Sequence, residues 1–376
     1  MQLKTSIIVP FCAVLISFSH AQVEVKNSSS YGFELVKSVS CTPVKSQDRT
    51  GTCWSFATSS FLESEAIRLG KGAQDFSEMY VVRNVYKDKA RNYVLRQGKA
   101  NFSQGSLSHD LMRVIGKNGM IPESAYSGKL DNKQRHDHAE MEDVLKGMLD
   151  GVLKQKRLSK KWAQAFDKVV DVYLGEVPSE FIVDGKKYTA RSYADEMGLH
   201  PDNYVNITSF THHPFYSPFI LEIPDNYSNG AFFNVPLGDL QAIVNNAIEK
   251  GYSVAWDGDV SEVGFSADNG IAVVPEDEER NDLFVRPGME KTITQQMRQD
   301  DFENFSTTDD HLMHLTGIAK DKLGKRYYLI KNSWGEVSEY KGYLYMSEAY
   351  LKLKTVAILV HKDAIPQHIA SKLKLN

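Results

Sequence analysis

The sequence predicts an α+β protein, helical in its first half and strand-rich in its second. Two observations carry this. From Cys53 to Leu174 apolar residues recur at threes and fours, the period of one helix face, whereas from Tyr252 onward short apolar runs such as YSVAW, RYYLIKN and VAILVH stand between turn residues. The 376 residues, 42% apolar and 24% charged, suffice for a large core and contain no internal repeat or low-complexity segment.

Taken in order, Ala57, Phe61, Leu62, Ala66 and Leu69 place a helix of about five turns after Cys53, stopped by Gly70 and Gly72. Residues 76 to 119 read as further helix and loop, interrupted by the turn-rich FSQGSLSHD. Met141, Val144, Leu145, Met148, Leu149, Val152 and Leu153 form one apolar stripe, and Trp162, Phe166, Val169, Val170, Tyr173 and Leu174 a second. The polar KQKRLS between them is the turn of a helical hairpin that Gly175 and Pro178 end. This hairpin reads as an insertion over about residues 130 to 178 within one domain spanning 22 to 376, and its basic run from Lys154 to Lys161 as a solvated loop. Residues 204 to 236, rich in aromatics and proline without a lasting period, read as an extended, packed connection. A helix over 237–250, a buried strand at 252–256, an acidic loop, a short helix over 293–302 and strands at 311–319, 326–332, 342–346 and VAILVH complete the chain.

The first residues, MQLKTSIIVPFCAVLISFSHAQ, combine one lysine, an apolar run from Ile7 to Ile16 and small residues at Ser19 and Ala21. That pattern predicts a signal peptide over 1–21, cut near Ala21, and hence an exported protein, periplasmic or secreted. The run is shorter than the about 20 residues of a permanent span, so no stable membrane insertion is expected. A formal net charge of −4 favours no nucleic-acid partner.

Three cysteines, Cys12, Cys41 and Cys53, are too few for a disulfide framework, and Cys41 is expected to be free. Cys53 sits in QDRTGTCWSFA at a helix start, where unpaired N–H groups and the helix dipole lower a thiol's pKa. Beside Trp54 and Phe56 it reads equally as a small buried hydrophobe. A nucleophilic thiol needs a base, and the base a group to hold it. Among eleven histidines, His311 opens a strand whose neighbour, across the turn KDKLGK, ends at Asn332. An asparagine oxygen accepting from one imidazole nitrogen leaves the other for the thiol. Gln47 offers a side-chain NH₂ that can join the Cys53 N–H as a donor to a developing oxyanion. The pairs His136 with His138 and His212 with His213 lack the spacings of a metal site, so no metal and no cofactor are expected.

Gln47, GTCWSFA with Cys53, DDHLM with His311 and KNSWG with Asn332, in the order Cys, His, Asn, resemble the papain-like cysteine peptidases. The SEMY run, the AWDGDV strand, TTDDH, GYLYM and the long insertion look most like the bleomycin hydrolase and aminopeptidase C branch, over about residues 30 to 366. The resemblance implies a papain-like two-lobe fold, with Cys53 on a helical lobe and His311 and Asn332 on a β-rich lobe. It implies that Cys53 attacks a peptide carbonyl, His311 carries the proton, Asn332 orients His311, Gln47 lines the oxyanion hole and Trp334 shields the His311–Asn332 bond. Gly105 and Ser106 stand where the family's glycine pair binds substrate backbone, Ser106 adding a side chain.

An aminopeptidase acting on peptides is implied first, with an open-cleft endopeptidase or a catalytically silent binding protein as alternatives. A homo-oligomer, hexameric by analogy, would be built through the hairpin. Two departures stand out: residues 22 to 46 are few for an inhibitory prosegment, and QHIASKLKLN after Pro366 looks shorter than the family's cleft-closing arm.

Overall fold

The computed structural model describes residues 30–131 and 135–375. After strand β1 (Glu34–Ser38) the chain is helical: α1 (Cys53–Arg68), α2 (Glu78–Leu95), α3 (Ser108–Asn118), α4 (Ala139–Leu153) and α5 (Lys161–Leu174). A small hairpin, β2 (Phe181–Val183) with β3 (Lys186–Tyr188), which the periodicity does not foretell, leads to α6 (Ala190–Met197). Of the 16 residues of α1, 14 are buried, polar ones included. Those polar side chains are spent on hydrogen bonds, as burial demands: Ser55 Oγ donates to the Glu78 carbonyl at 2.9 Å and Thr58 Oγ1 to Ser108 Oγ at 2.9 Å. The helix is thus enclosed on all sides. Beyond it the chain turns away through Gly70, whose φ of 76° lies where glycine is at ease.

The hairpin helices bury the stripes read from sequence, Met141, Leu145 and Leu149 on α4 and Phe166, Val170 and Leu174 on α5. They dock on α2 through Arg83, which pairs with Asp171 and donates to the Gly175 carbonyl at 3.0 Å.

The second half builds β4 (Tyr204–Thr208), β5 (Pro218–Ile220), β6 (Ala231–Asn234), α7 (Leu237–Glu249), β7 (Val254–Gly258), β8 (Phe265–Ser266), β9 (Ile271–Ala272) and α8 (Gln295–Glu303). It continues with β10 (His311–Lys320), β11 (Arg326–Lys331), β12 (Tyr343–Ser347), α9 (Glu348–Lys354), β13 (Thr355–His361) and α10 (Gln367–Leu373). The strands join in the order β5-β6-β4-β13-β7-β10-β11-β12-β9-β8, with β1 added on β10. Residues 204 to 236 are therefore more than a connection. β4 pairs with β13 from Tyr204 opposite His361 to Thr208 opposite Ala357, and β5 and β6 extend the edge. Aromatic and proline residues in the intervening turn interrupt the alternation that marks a strand, which hides these strands in the sequence.

Alternation along the strands sends side chains to two cores. Ala255, Leu312 and Ala357 pack with Cys53, Phe61 and the helical lobe. Val254, Trp256 and Met313 pack on the other face with α7, α9 and α10, where Ile369, Ala370 and Leu373 are buried. No helix among the described residues is long and apolar enough to cross a membrane. The leader-like residues 1–21 lie outside the described residues.

His136 and His138 lie inside the helical lobe rather than on an exposed turn, and burial pushes the pKa of each down to about 4. His138 is 2% exposed, and neither ring nitrogen has a hydrogen-bond partner among the described residues. The unfolded chain takes up these protons near the ordinary value of about 6.5 and the folded chain only near 4, so acid favours unfolding. Stability is expected to fall as pH drops from 6.5 to 4, by about 3 kcal/mol for His138 alone. Urea titrations should show that slope flattened in His138→Phe; an unchanged slope would refute the assignment.

Candidate active site

Cys53 is the first residue of α1, and Thr52 caps the helix through its carbonyl, which accepts the Ser55 N–H at 2.9 Å. The enclosed α1 lies against β10, and the backbone N–H of Leu312 acts on the Cys53 sulfur. Leu312 follows His311 directly. On the β10–β11 ladder His314 stands opposite Lys331, which carries His311 and Asn332 past the end of the pairing on the same side. His311 Nε2 donates to Asn332 Oδ1 at 2.8 Å, and the Ser333 N–H donates to that same oxygen at 2.7 Å. The amide is therefore oriented with its oxygen toward the ring, and the histidine proton is held on Nε2. Nδ1 has no hydrogen-bond partner among the described residues and carries the lone pair. The Trp334 ring covers His311 with centroids 4.5 Å apart.

Gln47 is buried, and its amide is held on both sides. Its Nε2 donates to the Thr50 carbonyl at 2.6 Å and its Oε1 accepts from Ser333 Oγ at 2.7 Å. One Nε2 hydrogen is thereby used, and the second remains. Backbone bonds tie the same two segments: Gln47 N–H to the Ser333 carbonyl at 2.8 Å and Gly335 N–H to the Lys45 carbonyl at 3.1 Å. Gln104, unremarked in the sequence, positions the loop before Cys53. Its Oε1 accepts the Gly51 N–H at 2.7 Å and its carbonyl accepts Trp54 Nε1–H at 3.0 Å. Next to it, the Gly105 carbonyl accepts from Lys89 Nζ. The side chain that Ser106 adds is buried, its Oγ donating to Asp110 Oδ2 at 2.7 Å.

The helix-start argument for a lowered thiol pKa is overturned. Burial pushes the Cys53 thiol up to about 12, the Leu312 N–H opposing and Asp309, Asp257 and Asp225 adding to the push. Burial likewise pushes His311 down to about 4, against the pull of its Asn332 bond. Burial thus opposes charge on each of the two groups taken singly.

Beneath the site lies a buried ionic network invisible to local motifs. Lys331 Nζ donates to Ser60 Oγ at 2.7 Å and Thr42 Oγ1 at 3.1 Å, Thr42 Oγ1 donates to Glu63, and Lys45 bridges Glu78 at 2.7 Å and Glu63 at 3.6 Å. Burial holds Glu63 above the usual carboxylate range, and Lys45 opposes it.

His212, His213 and Glu222 also converge, with both Nε2 atoms on the Glu222 carboxylate at 3.2 and 2.7 Å. Gln299 decides their chemistry. Its Oε1 accepts the Thr211 N–H, so its Nε2 donates to His212 Nδ1 at 2.9 Å. The His212 proton then sits on Nε2, directed at Glu222. Cys41 and Cys53 are both free, Cys41 Sγ lying 3.1 Å from the Tyr343 hydroxyl.

With a helix-borne cysteine set against a histidine–asparagine pair, the class is that of the papain-like cysteine peptidases. Residues 88–376 match the Peptidase C1-like family, and the chain belongs to it. Aminopeptidase G of Lactobacillus delbrueckii subsp. lactis is 23% identical over 364 residues, covering 85% of this chain and 80% of its own. Aminopeptidase C of Streptococcus thermophilus is 23% identical over 398 residues, covering 93% and 86%. The crystal structure of PepW from Lactobacillus rhamnosis HN001 superposes with a TM-score of 0.71 at 18% identity, over 91% of this chain and 85% of that one. The likeness to the aminopeptidase C branch read from sequence is thus upheld. Export is corrected by the same relatives: aminopeptidases C, G and W form a cytoplasmic group that does not typically use a signal peptide.

Removing one partner of the buried network should leave a charge uncompensated. Lys331→Met is expected to cost about 3 to 5 kcal/mol in guanidinium unfolding; a loss below about 1 kcal/mol would show that the network is dispensable.

Proposed function

We propose that this chain is a cysteine peptidase that hydrolyses peptide bonds through Cys53, His311 and Asn332, acting as an aminopeptidase. The observation that carries the reading is the His311–Asn332 bond at 2.8 Å, covered by Trp334 and adjacent to Leu312, the residue that meets Cys53. In this mechanism the Cys53 proton passes to His311 Nδ1 while sulfur attacks the carbonyl carbon. His311 returns the proton to the leaving amine as the C–N bond breaks. Water, deprotonated by His311, then cleaves the thioester and restores the thiol. Neither a thiolate nor an imidazolium is stable alone at this depth, but one proton transfer creates both together, so that each offsets the desolvation of the other. The Cys53 N–H and the second Nε2 hydrogen of Gln47 serve as oxyanion donors. Gly105 and Ser106 present backbone to the peptide.

The aminopeptidase reading is supported by relatives that bear that name over most of their length. Endopeptidase action is the second reading. It is favoured by α10, whose Ile369, Ala370 and Leu373 are committed to the second core rather than to the cleft. Assembly into a homo-oligomer through the α4–α5 hairpin belongs to the proposal too, supported by Val144 and Val172, which are 42% and 68% exposed there.

Cys53→Ala and His311→Ala should each abolish turnover with the fold intact, since nucleophile and base act as a unit. Asn332→Ala should lower kcat by about a hundredfold through loss of ring alignment. Cleavage of a free-amine peptide but not of its N-acetylated twin is the expected result. Equal cleavage of both establishes the endopeptidase, and activity surviving in Cys53→Ala refutes the mechanism.

A further inference from the structure

Carboxyl groups crowd the cleft beside Cys53, and they fall into two kinds. Asp259 and Asp310 are served by the protein: the Thr308 N–H donates to Asp259 Oδ2 at 2.7 Å, the Ser261 N–H to Asp259 Oδ1 at 2.8 Å and the Val260 N–H to Asp310 Oδ1 at 3.0 Å. Asp257 and Asp309 are not. Asp257 is 4% exposed, and among the described residues its carboxyl and that of Asp309 have only each other as hydrogen-bond partners, two acids sharing a proton. Such groups are costly unless something supplies donors.

Their placement says where donors would come from. On β7, Ala255 packs with Cys53 and Trp256 packs on the opposite face, so Asp257 faces the α1 side. It stands opposite Leu312 in the β7–β10 register, and Asp309 precedes His311 by two residues. A third carboxyl arrives from the β5–β6 loop. Asp225 Oδ2 fills the space that a Cβ on Gly105 would take, and its Oδ1 accepts from Asn101 Nδ2 at 3.0 Å. Lys89, the buried cation beside them, donates to the Ser103 carbonyl at 3.1 Å and to that of Gly105, and its charge opposes the upward push of burial on Asp225 and Asp309.

We propose that Asp225, Asp257 and Asp309 form the pocket that receives the α-ammonium of a peptide's first residue. The inference rests on the aminopeptidase reading and explains how it is met while α10 is packed elsewhere. A primary ammonium brings three N–H donors and a positive charge to a site rich in carboxyl oxygens, where it can replace the proton that Asp257 and Asp309 share. Gly105, assigned to substrate backbone, abuts Asp225, so the first residue's nitrogen falls among the carboxyls. An acetylated terminus brings no charge and one donor, and leaves buried oxygens unpaired. Burial and mutual repulsion raise Asp257 well above the usual carboxylate range and Asp309 to about 7, so the empty pocket holds protons that an incoming ammonium displaces.

Kinetics on an alanyl-anilide, its N-acetyl twin and an N-acetyl-lysyl-alanyl-anilide test this. The wild-type enzyme is expected to prefer the free amine by at least about a hundredfold, and Asp257→Asn and Asp309→Asn to cut that preference at least about tenfold, mainly through KM. In Cys53→Ala, calorimetry near pH 6 in buffers of different ionisation heat should register proton release when a free-amine alanyl peptide binds, and none with the acetylated peptide. Circular dichroism checks folding, and Asp225→Asn, in a loop, replaces either variant that fails it. Preference retained in the folded variants overturns the pocket while leaving the aminopeptidase standing. Equal wild-type cleavage of the alanyl pair overturns the aminopeptidase reading itself. Preference for the N-acetyl-lysyl substrate, lost in Asp309→Asn, assigns the pocket to a side-chain cation and overturns the proposal as well.

Discussion

The enclosure of α1 is what the site hangs on. A helix with 14 of its 16 residues buried has little freedom to slide or turn, so its first residue is delivered to one place on the sheet. That place is Leu312, one step from the histidine. The same enclosure strips water from Cys53 and His311, which pushes the thiol up and the imidazole down. Position and desolvation are two consequences of one packing arrangement.

The ionic network under α1 extends this logic to the polar interior. Glu63 projects from the helix toward Lys45 and Lys331, and Ser60, one turn earlier, joins Lys331 to His314 Nδ1 at 2.8 Å. Helix, β10 and β11 are thereby locked by directional contacts as well as by apolar ones. A shift of α1 would break several buried polar contacts at once, each with a desolvation cost.

Much of the fold and site was legible because the relevant signals are local. Gly51 before Cys53 and the threes and fours after it mark the helix start, and a polar turn between two apolar runs brings His311 to Asn332. What was hidden is tertiary. The dipole argument for Cys53 considered its own helix and not the β-sheet pressed against it, so the thiol's pKa direction came out reversed. β4 was missed because its pairing partner, β13, follows about 150 residues later in the chain. Asp257 and Asp309 look like ordinary loop and strand acids until β7 and β10 lie side by side, and Lys331 looks like a surface lysine until α1 covers it.

The bonds from Gln47 to Ser333 and from Gly335 to Lys45 tie the segment that leads to Cys53 to the segment that follows Asn332. The two ends of the site are thereby joined through main chain, whatever the packing of α1. A displacement of either segment is passed to the other with no side chain as go-between.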